Sequence, residues 1–531
     1  MNFLHATRLS LTPLSPIHIG TGEDFEPTNY VIENGVLYGF EPSRAKLPEQ
    51  LQTRLANLGE KADIGSLQRF FRDNKTYFMP HANVFVPVAT GVEREYKDKL
   101  GQAVQREDGG KSVFSSQYIA RASYQPLNGQ GYIPGTGFKG AIRTAILDKI
   151  NDGKSPEKTN SKTSSVLEKQ LFKGDFERSP LRLLKIADFM PIGELSRKIV
   201  FATNHKKRSI IDPATGNERQ ARGVATRKEI VAHGQYRALQ AEVVIQNLCQ
   251  HQGAENAPPM RLPDLCELAK QSNRYYRRQL TDELNLLLQR GFCHKGWHDG
   301  LVKLLNGELK PRLDAGDAFL VRLGSSCGAE SKTLRGDGMP ARYETTTIWL
   351  AADTSNQRSD MHSFGWALVE IDPQTDLLQL KNWCATESAQ YPDMRIVREQ
   401  HKITQLEAAA ARKAAIAAAE EKRLAELARQ QEESKQKQIR EAALNAMSPA
   451  QRITHTLCER LEAAPRQTQP GSEIFKMVEK VLKETLADST WDAPARTLLA
   501  DRIKPLLEAK NMMIGKAEKE FKRLLRELRG I

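Results

Sequence analysis

A glycine-rich segment that runs directly into a helical pattern, residues 131–147, most constrains what this chain can fold into. It reads Gly-Tyr-Ile-Pro-Gly-Thr-Gly-Phe-Lys-Gly-Ala-Ile-Arg-Thr-Ala-Ile-Leu. Glycines permit positive φ and close backbone approach, and the start of the helix is expected to present unpaired N–H groups. Lys139 and Arg143 are four residues apart and share a helical face. The segment predicts a phosphate site formed by Gly135, Thr136, Gly137, Lys139, Gly140 and Arg143.

Two other interpretations of this segment stay open. Gly135, Gly137 and Gly140 satisfy the dinucleotide-binding pattern G-x-G-x-x-G, which requires a regular βαβ unit and an acidic residue about 20 positions later. Here Pro134 precedes the first glycine, and a polar, lysine-bearing loop (residues 151–162) is predicted after the helix. The Lys, Ser, Thr and Asn content of residues 155–173 likewise predicts an exposed loop. The segment also fits a tight strand–helix turn with incidental cations. By itself it indicates phosphate binding and does not identify the ligand.

Length and charge narrow the class of protein. A chain of 531 residues is expected to contain two or three domains. Its formal net charge of +13 predicts a polyanionic partner. Six widely spaced cysteines suit a reducing cytoplasm and not a disulfide framework. We expect no cleavable signal and no membrane span, because no apolar run approaches the ~18 residues that a membrane helix needs.

Three motifs carry a resemblance to a known family. They are Pro-x-His-Ile-Gly-x-Gly at 16–22, followed by the strand Asn29-Tyr-Val-Ile32; Ile-Pro-Gly-x-x-x-Lys-Gly-Ala-x-Arg-Thr-Ala at 133–145; and a looser glycine-bearing segment at 323–334. In order and spacing they resemble the RAMP superfamily of CRISPR-associated proteins over roughly the first 380 residues. The resemblance is greatest to the fifth Csm subunit of type III-A effector complexes, with an added C-terminal helical extension.

The resemblance implies a fold and a function. The fold would be α+β, with two RNA-recognition-motif-like (ferredoxin-like) halves. The protein would be a structural subunit that binds the guide RNA (crRNA), caps the complex near the guide 3′ end beside the repeated backbone subunit, and supports guide maturation and antiviral interference. Other type III subunits, host nucleases that trim the guide, and target RNA reached through the complex are the implied partners. No membrane partner, cofactor or metal is expected, and the location would be the prokaryotic cytoplasm.

Sequence patterns divide the chain into four predicted domains. Residues 1–237 would be the first RAMP half, with a hairpin at the Asn34-Gly35 turn, and residues 238–381 the second half. Residues 382–447 are rich in Ala, Glu and Lys and predict one long helix. Residues 448–531 carry four amphipathic stretches and predict a helical bundle, interpreted as a docking domain or a solubilising appendage.

His18 has two interpretations. In the first, His18 with Gly20, Thr21 and Gly22 lines the same RNA groove as the glycine-rich helix, and the imidazole orients the loop. In the second, His18 is the general base of a metal-independent endoribonuclease that processes CRISPR transcripts. No second base or stabilising cation stands nearby in sequence, so we expect binding without intrinsic cleavage.

The most basic stretch, residues 201–237, predicts a protruding hairpin with its tip at Asp212–Asn217. Its cations would contact RNA phosphates and therefore would not distinguish base sequences. A second cationic loop lies at 324–338. The predicted contacts are Lys206, Lys207, Arg208, Arg222, Arg227, Lys332 and Arg335.

Two clusters are ambiguous. Tyr275 and Tyr276 lie between arginines on a predicted helix, where they fit base stacking and core packing equally well. Cys293, His294 and His298, with Cys266, suggest a metal site, but a reliable zinc site needs two well-spaced ligand pairs. We therefore predict no metal there.

Overall fold

Strands and helices alternate as far as Ile371, and only helices follow among the described residues. The computed structural model describes residues 4–61, 63–106, 112–114, 117–153, 164–246, 257–334, 346–465 and 471–531. The strands are β1 (Leu4–Pro13), β2 (Gly20–Phe25), β3 (Tyr30–Glu33), β4 (Val36–Phe40), β5 (Ala82–Pro87), β6 (Ala103–Arg106), β7 (Ser112–Phe114), β8 (Ile119–Ala122), β9 (Leu184–Ile186), β10 (Met190–Pro191), β11 (Arg197–Lys206), β12 (Thr226–Val231), β13 (Leu239–Gln246), β14 (Ala318–Arg322), β15 (Thr347–Ala352), β16 (His362–Ser363) and β17 (Trp366–Ile371).

The helices lie between these strands and after them. They are α1 (Glu49–Glu60), α2 (Ile64–Asp73), α3 (Lys75–Phe78), α4 (Thr90–Lys99), α5 (Gly135–Asn151), α6 (Ser164–Phe172), α7 (Leu265–Gln289), α8 (Lys295–Asn306), α9 (Leu309–Ala315), α10 (Leu378–Ser388), α11 (Met394–Ala446), α12 (Pro449–Glu462), α13 (Glu473–Ala487), α14 (Ala493–Ala509) and α15 (Lys516–Leu528).

The first large sheet has the strand order β10-β13-β1-β17-β14, with β9 also paired to β13, and all its pairs are antiparallel. Along the chain, α5 follows β1 and α7 follows β13, as in a ferredoxin-like βαββαβ arrangement. Helices α5 and α7 contact each other and this sheet. Their apolar residues share one core with Leu9 and Leu11 of β1, which confirms the predicted α+β class.

The second large sheet has the order β16-β15-β11-β12-β8-β2, and a three-stranded sheet joins β3, β4 and β5. The predicted Asn34-Gly35 hairpin connects β3 to β4. Asn34 has a φ of 50° and Gly35 a φ of 75°, as a two-residue type I′ turn requires. A second apolar core lies beneath these sheets and includes Phe25, Ile199 and Phe201.

The sheets do not follow the boundary predicted at residue 237. Strand β1 pairs with β13 from Leu4↔Gln246 to Leu11↔Leu239, so strands from both predicted halves share the first sheet. Strand β11 likewise pairs with β15 in the second sheet. Both large sheets therefore combine strands from the two predicted halves, 1–237 and 238–381.

The chain separates into two compact units, residues up to Leu406 and residues from Glu407 onward. Residues 382–447 were predicted to form one long helix, but α10 ends at Ser388 and α11 begins at Met394. Residues 402–443 of α11 are all exposed. The predicted helical bundle is α12–α15, and its own core contains Leu461, Val478, Leu499 and Phe521. Ser448 caps α12 in a reciprocal capping box with Gln451.

One local prediction was wrong. The polar composition of residues 155–173 predicted an exposed loop, yet residues 164–172 form α6. Phe172 is buried in the same core as α5, and tertiary packing of that ring outweighs the polar composition around it. Residues 154–163 lie outside the described residues.

None of the helices described here has the length and apolar character needed to cross a membrane.

Candidate nucleic-acid interface

The glycine-rich segment forms the start of α5, with Pro134 at the N-cap position. Gly135 packs directly on the backbone before β10. A Cβ at this position would lie 2.5 Å from the Ala187 carbonyl oxygen and 2.6 Å from that of Ile186. Real Cβ atoms do not approach a backbone that closely, so glycine is required here for packing between α5 and the first sheet.

Three of the amides predicted to be open at the start of α5 are bonded. The Gly135 N–H donates to Asp188 Oδ1 at 2.8 Å. The N–H groups of Gly137 and Phe138 donate to the Pro134 carbonyl at 3.1 and 3.2 Å. These three N–H groups are therefore not free to hold a phosphate, and a carboxylate distant in sequence occupies the positive end of the helix. Thr136 is exposed beside it.

Lys139 points toward the sheet. Its Nζ donates to the Leu184 carbonyl at 2.8 Å. Partial burial lowers the pKa of Lys139, and the positive charge of Lys185 lowers it further. The two cations predicted to flank one pole are thus separated, with Lys139 bound to backbone and only Arg143 facing open space.

An open cavity of about 370 Å³ adjoins the side of α5. We call it the glycine groove. Its lining comprises Ile19, Gly20, Gly137, Gly140, Ala141, Arg143, Thr144, Tyr276, Arg322, Gly324, Ser325, Ser331 and Lys332. Each of the three motifs that carry the family resemblance contributes residues to this lining, although they are far apart in sequence.

Glycines shape this groove in two ways. At Gly324 the φ is +89°, and a Cβ would lie 2.2 Å from the His18 carbonyl oxygen. The loop after β14 can therefore reach β2 only with glycine, and the Ser325 N–H then donates to His18 at 2.9 Å. At Gly140, by contrast, a Cβ would meet nothing within 4 Å. Because glycine has no side chain, this position leaves open space for a ligand.

Two accessible cationic side chains in the groove lining are those of Arg143 and Lys332. The Arg143 side chain is 45% exposed and pairs with Glu168 at 3.2 Å, and Lys332 is exposed. Arg322 also lines the groove, but it is buried, pairs with Glu283 at 2.7 Å and lies over the Trp366 ring. Arg143 and Lys332 are thus the cations placed to meet an anionic ligand.

His18 lies behind the groove and does not face it. It is 3% exposed, and its Nδ1 is 2.6 Å from the Glu229 carbonyl oxygen. Burial lowers the pKa of His18 to about 4, and the positive charge of Lys228 contributes to this decrease. The imidazole is therefore neutral near pH 7 and donates its proton to a backbone carbonyl, an arrangement suited to orienting the Gly20–Gly22 loop. Thr21 and Gly22 are exposed on β2 outside the groove lining.

The basic hairpin is formed by β11 and β12, which pair antiparallel from Arg197↔Val231 to Ala202↔Thr226. The predicted tip is closed by a hydrogen bond of 2.8 Å from the Asp212 N–H to the Asn217 carbonyl. Arg208 and Arg222 are exposed, and Lys206 is partly exposed.

Two cations predicted on the hairpin are engaged with carboxylates. Lys207 pairs with Glu330, next to the segment that carries Lys332. Arg227 is only 12% exposed and pairs with Glu95 at 2.6 Å, beside the Phe201 ring. The prediction of an accessible Arg227 was wrong because it faces the second core. Arg335 lies outside the described residues.

The structure places the two clusters that were ambiguous in sequence, the tyrosine pair and the Cys/His group. Tyr275 and Tyr276 are fully buried; the Tyr276 hydroxyl donates to the Ala141 carbonyl at 3.2 Å. Tyr276 therefore joins α7 to α5 below the groove. The side chains of Cys293, His294, His298 and Cys266 form no metal-ligand group among the residues that the structure describes.

A family profile decides the classification. The RAMP superfamily matches residues 10–292, more than half of the 531-residue chain. The chain belongs to the RAMP superfamily. This confirms the resemblance inferred from the motifs. In this RAMP protein the match includes the end of β1, the glycine-rich start of α5 and the basic hairpin, while Gly324 and Lys332 lie beyond it.

Individual relatives are CRISPR proteins. The CRISPR system protein Csm5 of Streptococcus thermophilus is 26% identical over 148 residues, which are 27% of this RAMP chain and 38% of that relative. The similarity thus spans well under half of the curated relative.

Two solved structures also match. One is a cryo-EM structure of the Csm–crRNA–target RNA ternary complex of a type III-A CRISPR-Cas system, at 16% identity and a TM-score of 0.40, covering 69% of this chain and 100% of the matched chain. The other is the crystal structure of T. onnurineus Csm5, at 17% identity and a TM-score of 0.37, covering 68% and 99%.

Sequence reasoning missed several polar residues that hold this region together. Asp188 bonds to the Gly135 N–H and Glu168 pairs with Arg143, yet neither acidic residue belongs to a recognisable motif. Arg121, whose guanidinium lies 4.4 Å from the Phe25 ring centre and 3.7 Å from that of Tyr124, was also missed. The Arg121–Tyr124 spacing is the only local signal for that stack.

Proposed function

We propose that this RAMP protein is a guide-RNA-binding structural subunit of a type III-A CRISPR effector complex. It would cap the complex near the guide 3′ end, beside the repeated backbone subunit, and support guide maturation and antiviral interference. The observation that carries the proposal is the glycine groove, where three separate glycine-bearing segments meet around Arg143 and Lys332.

The chemistry of the groove suits a phosphodiester backbone. The missing side chain at Gly140 leaves room for a polymer against α5, and two cations at the rim can contact successive phosphates. Such contacts bind RNA through charge and shape, and leave base sequence to be read by pairing with a target. A guide-binding subunit must accept many guide sequences, so this mode of binding fits the proposed role.

The basic hairpin extends this cationic surface. Arg208 and Arg222 are exposed on it, and the Lys207–Glu330 pair links its base to the segment that carries Lys332. An RNA strand that leaves the groove on this side would meet the hairpin cations next. The similarity to Csm5 supports the choice of a CRISPR guide as the RNA and of other Csm subunits as protein partners.

Purification of the tagged full-length protein from cells that express the other effector subunits and a CRISPR array tests the proposal. Sequencing of the co-purifying RNA should recover guides in strong excess over other cellular RNA. The variant Arg143→Glu with Lys332→Glu should lose most of this enrichment, because two phosphate contacts become repulsive.

A matched control is available on the exposed face of α11. Arg412→Glu with Lys413→Glu makes the same change of charge at exposed residues of the other compact unit, and guide recovery should stay at the wild-type level. Equal recovery from the wild type and the groove variant would contradict the proposed role of the groove.

A further inference from the structure

A cluster of two histidines and a glutamate lies away from the glycine groove. His233 follows β12, His362 is in β16, and Glu387 is in α10. One ligand atom from each, an imidazole nitrogen or a carboxylate oxygen, lies within 4.8 Å of the other two. In the part of the chain that the structure describes, no other group of three or more His, Cys, Asp or Glu side chains comes together in this way. We call it the His–Glu cluster.

The cluster is buried and incompletely bonded. The side chains of His233 and Glu387 are 1% and 7% exposed, and His233 Nε2 lies 3.2 Å from Glu387 Oε2. The Nε2 atom of His362 is also buried, and it has no hydrogen-bond partner in the described structure. A buried polar atom without a hydrogen-bond partner destabilises the folded state. A group that binds this nitrogen would remove that destabilisation.

Neighbouring residues hold the cluster in one orientation. The Tyr391 hydroxyl lies 2.8 Å from His233 Nδ1, so the opposite ring nitrogen, Nε2, is directed at Glu387. Gly234 has a φ of +74°, and a Cβ there would lie 2.6 Å from the Glu387 Cβ. Glycine thus brings the segment that carries His233 directly against α10. A metal-binding histidine is usually held in place by a hydrogen bond to its other ring nitrogen, the one that does not bind the metal.

We propose that His233, His362 and Glu387 bind a divalent transition-metal ion of the zinc type. Two imidazole nitrogens and one carboxylate oxygen form a ligand set that Zn²⁺ accepts. The ion would bond to the unpartnered Nε2 of His362 and replace the His233–Glu387 hydrogen bond. The Tyr391 hydroxyl would then accept the proton of His233 Nδ1.

Such an ion would have a structural role. It would join the segment after β12, the short strand β16 and helix α10. Because His233 and Glu387 are almost fully buried, an RNA strand could not reach the metal. The site is thus distinct from the proposed RNA contacts, and its failure would leave the proposed guide binding intact.

The test uses the tag-free full-length protein after removal of metals with a chelator. Titration with Zn²⁺ against a chromophoric competitor should find one tight site per chain. Glu387→Gln keeps the size of the side chain and a hydrogen-bonding group but removes the charge, and should weaken binding by more than about 100-fold. Tyr391→Phe should weaken Zn²⁺ binding by about 10–100-fold, because it removes the hydrogen-bond partner of the His233 ring.

Two further variants keep the test decisive. His362→Phe removes a ligand without leaving an unpartnered nitrogen, so it should fold at least as well as the metal-free wild type and yet bind no tight Zn²⁺. His205→Asn changes another buried histidine, bonded to Thr203 outside the cluster, and should leave Zn²⁺ affinity unchanged. Absence of a tight site in the wild type would overturn the proposal, as would undiminished binding by both His362→Phe and Glu387→Gln.

Discussion

Replacement of His18 by asparagine is expected to flatten the acid dependence of stability. Asparagine can donate an N–H from nearly the same position as His18 Nδ1, so the bond to the Glu229 carbonyl, 2.6 Å long in the wild type, can be kept. What the substitution removes is a titratable ring. Burial lowers the pKa of that ring from 6.5 to about 4 in the folded protein.

The sign and the size of the effect follow from this shift. Between pH 6.5 and about 4 the unfolded chain binds a proton at His18 that the folded chain does not. The stability associated with His18 is therefore complete above pH 6.5 and is lost as the pH falls toward 4. A shift of about 2.5 pH units corresponds to about 3 kcal/mol at 1.36 kcal/mol per unit.

Urea denaturation at a series of pH values measures this effect. Between pH 8 and pH 4 the wild type should lose about 3 kcal/mol more unfolding free energy than His18→Asn. Other buried histidines are common to both proteins and cancel in the comparison. His5 is exposed on β1, so His5→Asn should follow the wild type. Parallel pH profiles for the wild type and His18→Asn would refute the assignment of His18 as a buried neutral donor.

Three other predictions concern the packing of Gly135, the role of Lys139 and the division of the chain into two units. Gly135→Ala should lower the unfolding free energy by about 3 kcal/mol, because the new Cβ would overlap the Ala187 carbonyl oxygen; Gly140→Ala, which meets nothing within 4 Å, should raise it slightly. Lys139→Ala should change RNA affinity little, since its Nζ is bound to the Leu184 carbonyl; an affinity loss equal to that of Arg143→Ala would contradict this. A chain ending at Leu406 should fold and bind RNA with nearly unchanged affinity but recover less of one helical partner subunit in pull-downs; loss of RNA binding on truncation would show that the helical tail belongs to the RNA site.

The features that sequence predicted well are those determined by nearby residues. The Asn34-Gly35 turn specifies its hairpin through two positive φ angles. The alanine-rich stretch without Gly or Pro forms α11, and the amphipathic stretches after Ser448 form α12–α15. Turn chemistry, helix propensity and apolar periodicity all act within a few residues and can be recognised in one sequence.

The features that it could not predict depend on residues far apart in the chain. Asp188 bonds to Gly135 across 53 positions, and Glu95 neutralises Arg227 across 132. His233 and Glu387, of the His–Glu cluster, are separated by 154 positions. No local pattern marks any of these pairs. Residues of the three glycine motifs do meet in one groove, whereas the ion pairs that decide which cations are accessible appear only in the folded structure.

The salt dependence of guide-RNA affinity tests the central claim most directly. For single-stranded RNA, the slope of log affinity against log salt falls by about 0.7 for each phosphate contact that is lost. Arg143→Ala with Lys332→Ala should therefore reduce the wild-type slope by about 1.4, while the matched control, Arg412→Ala with Lys413→Ala, should leave it unchanged. Titration of labelled guide RNA over a series of KCl concentrations measures all three slopes. Identical slopes for the wild type and the groove variant would contradict the claim that RNA phosphates bind in the glycine groove.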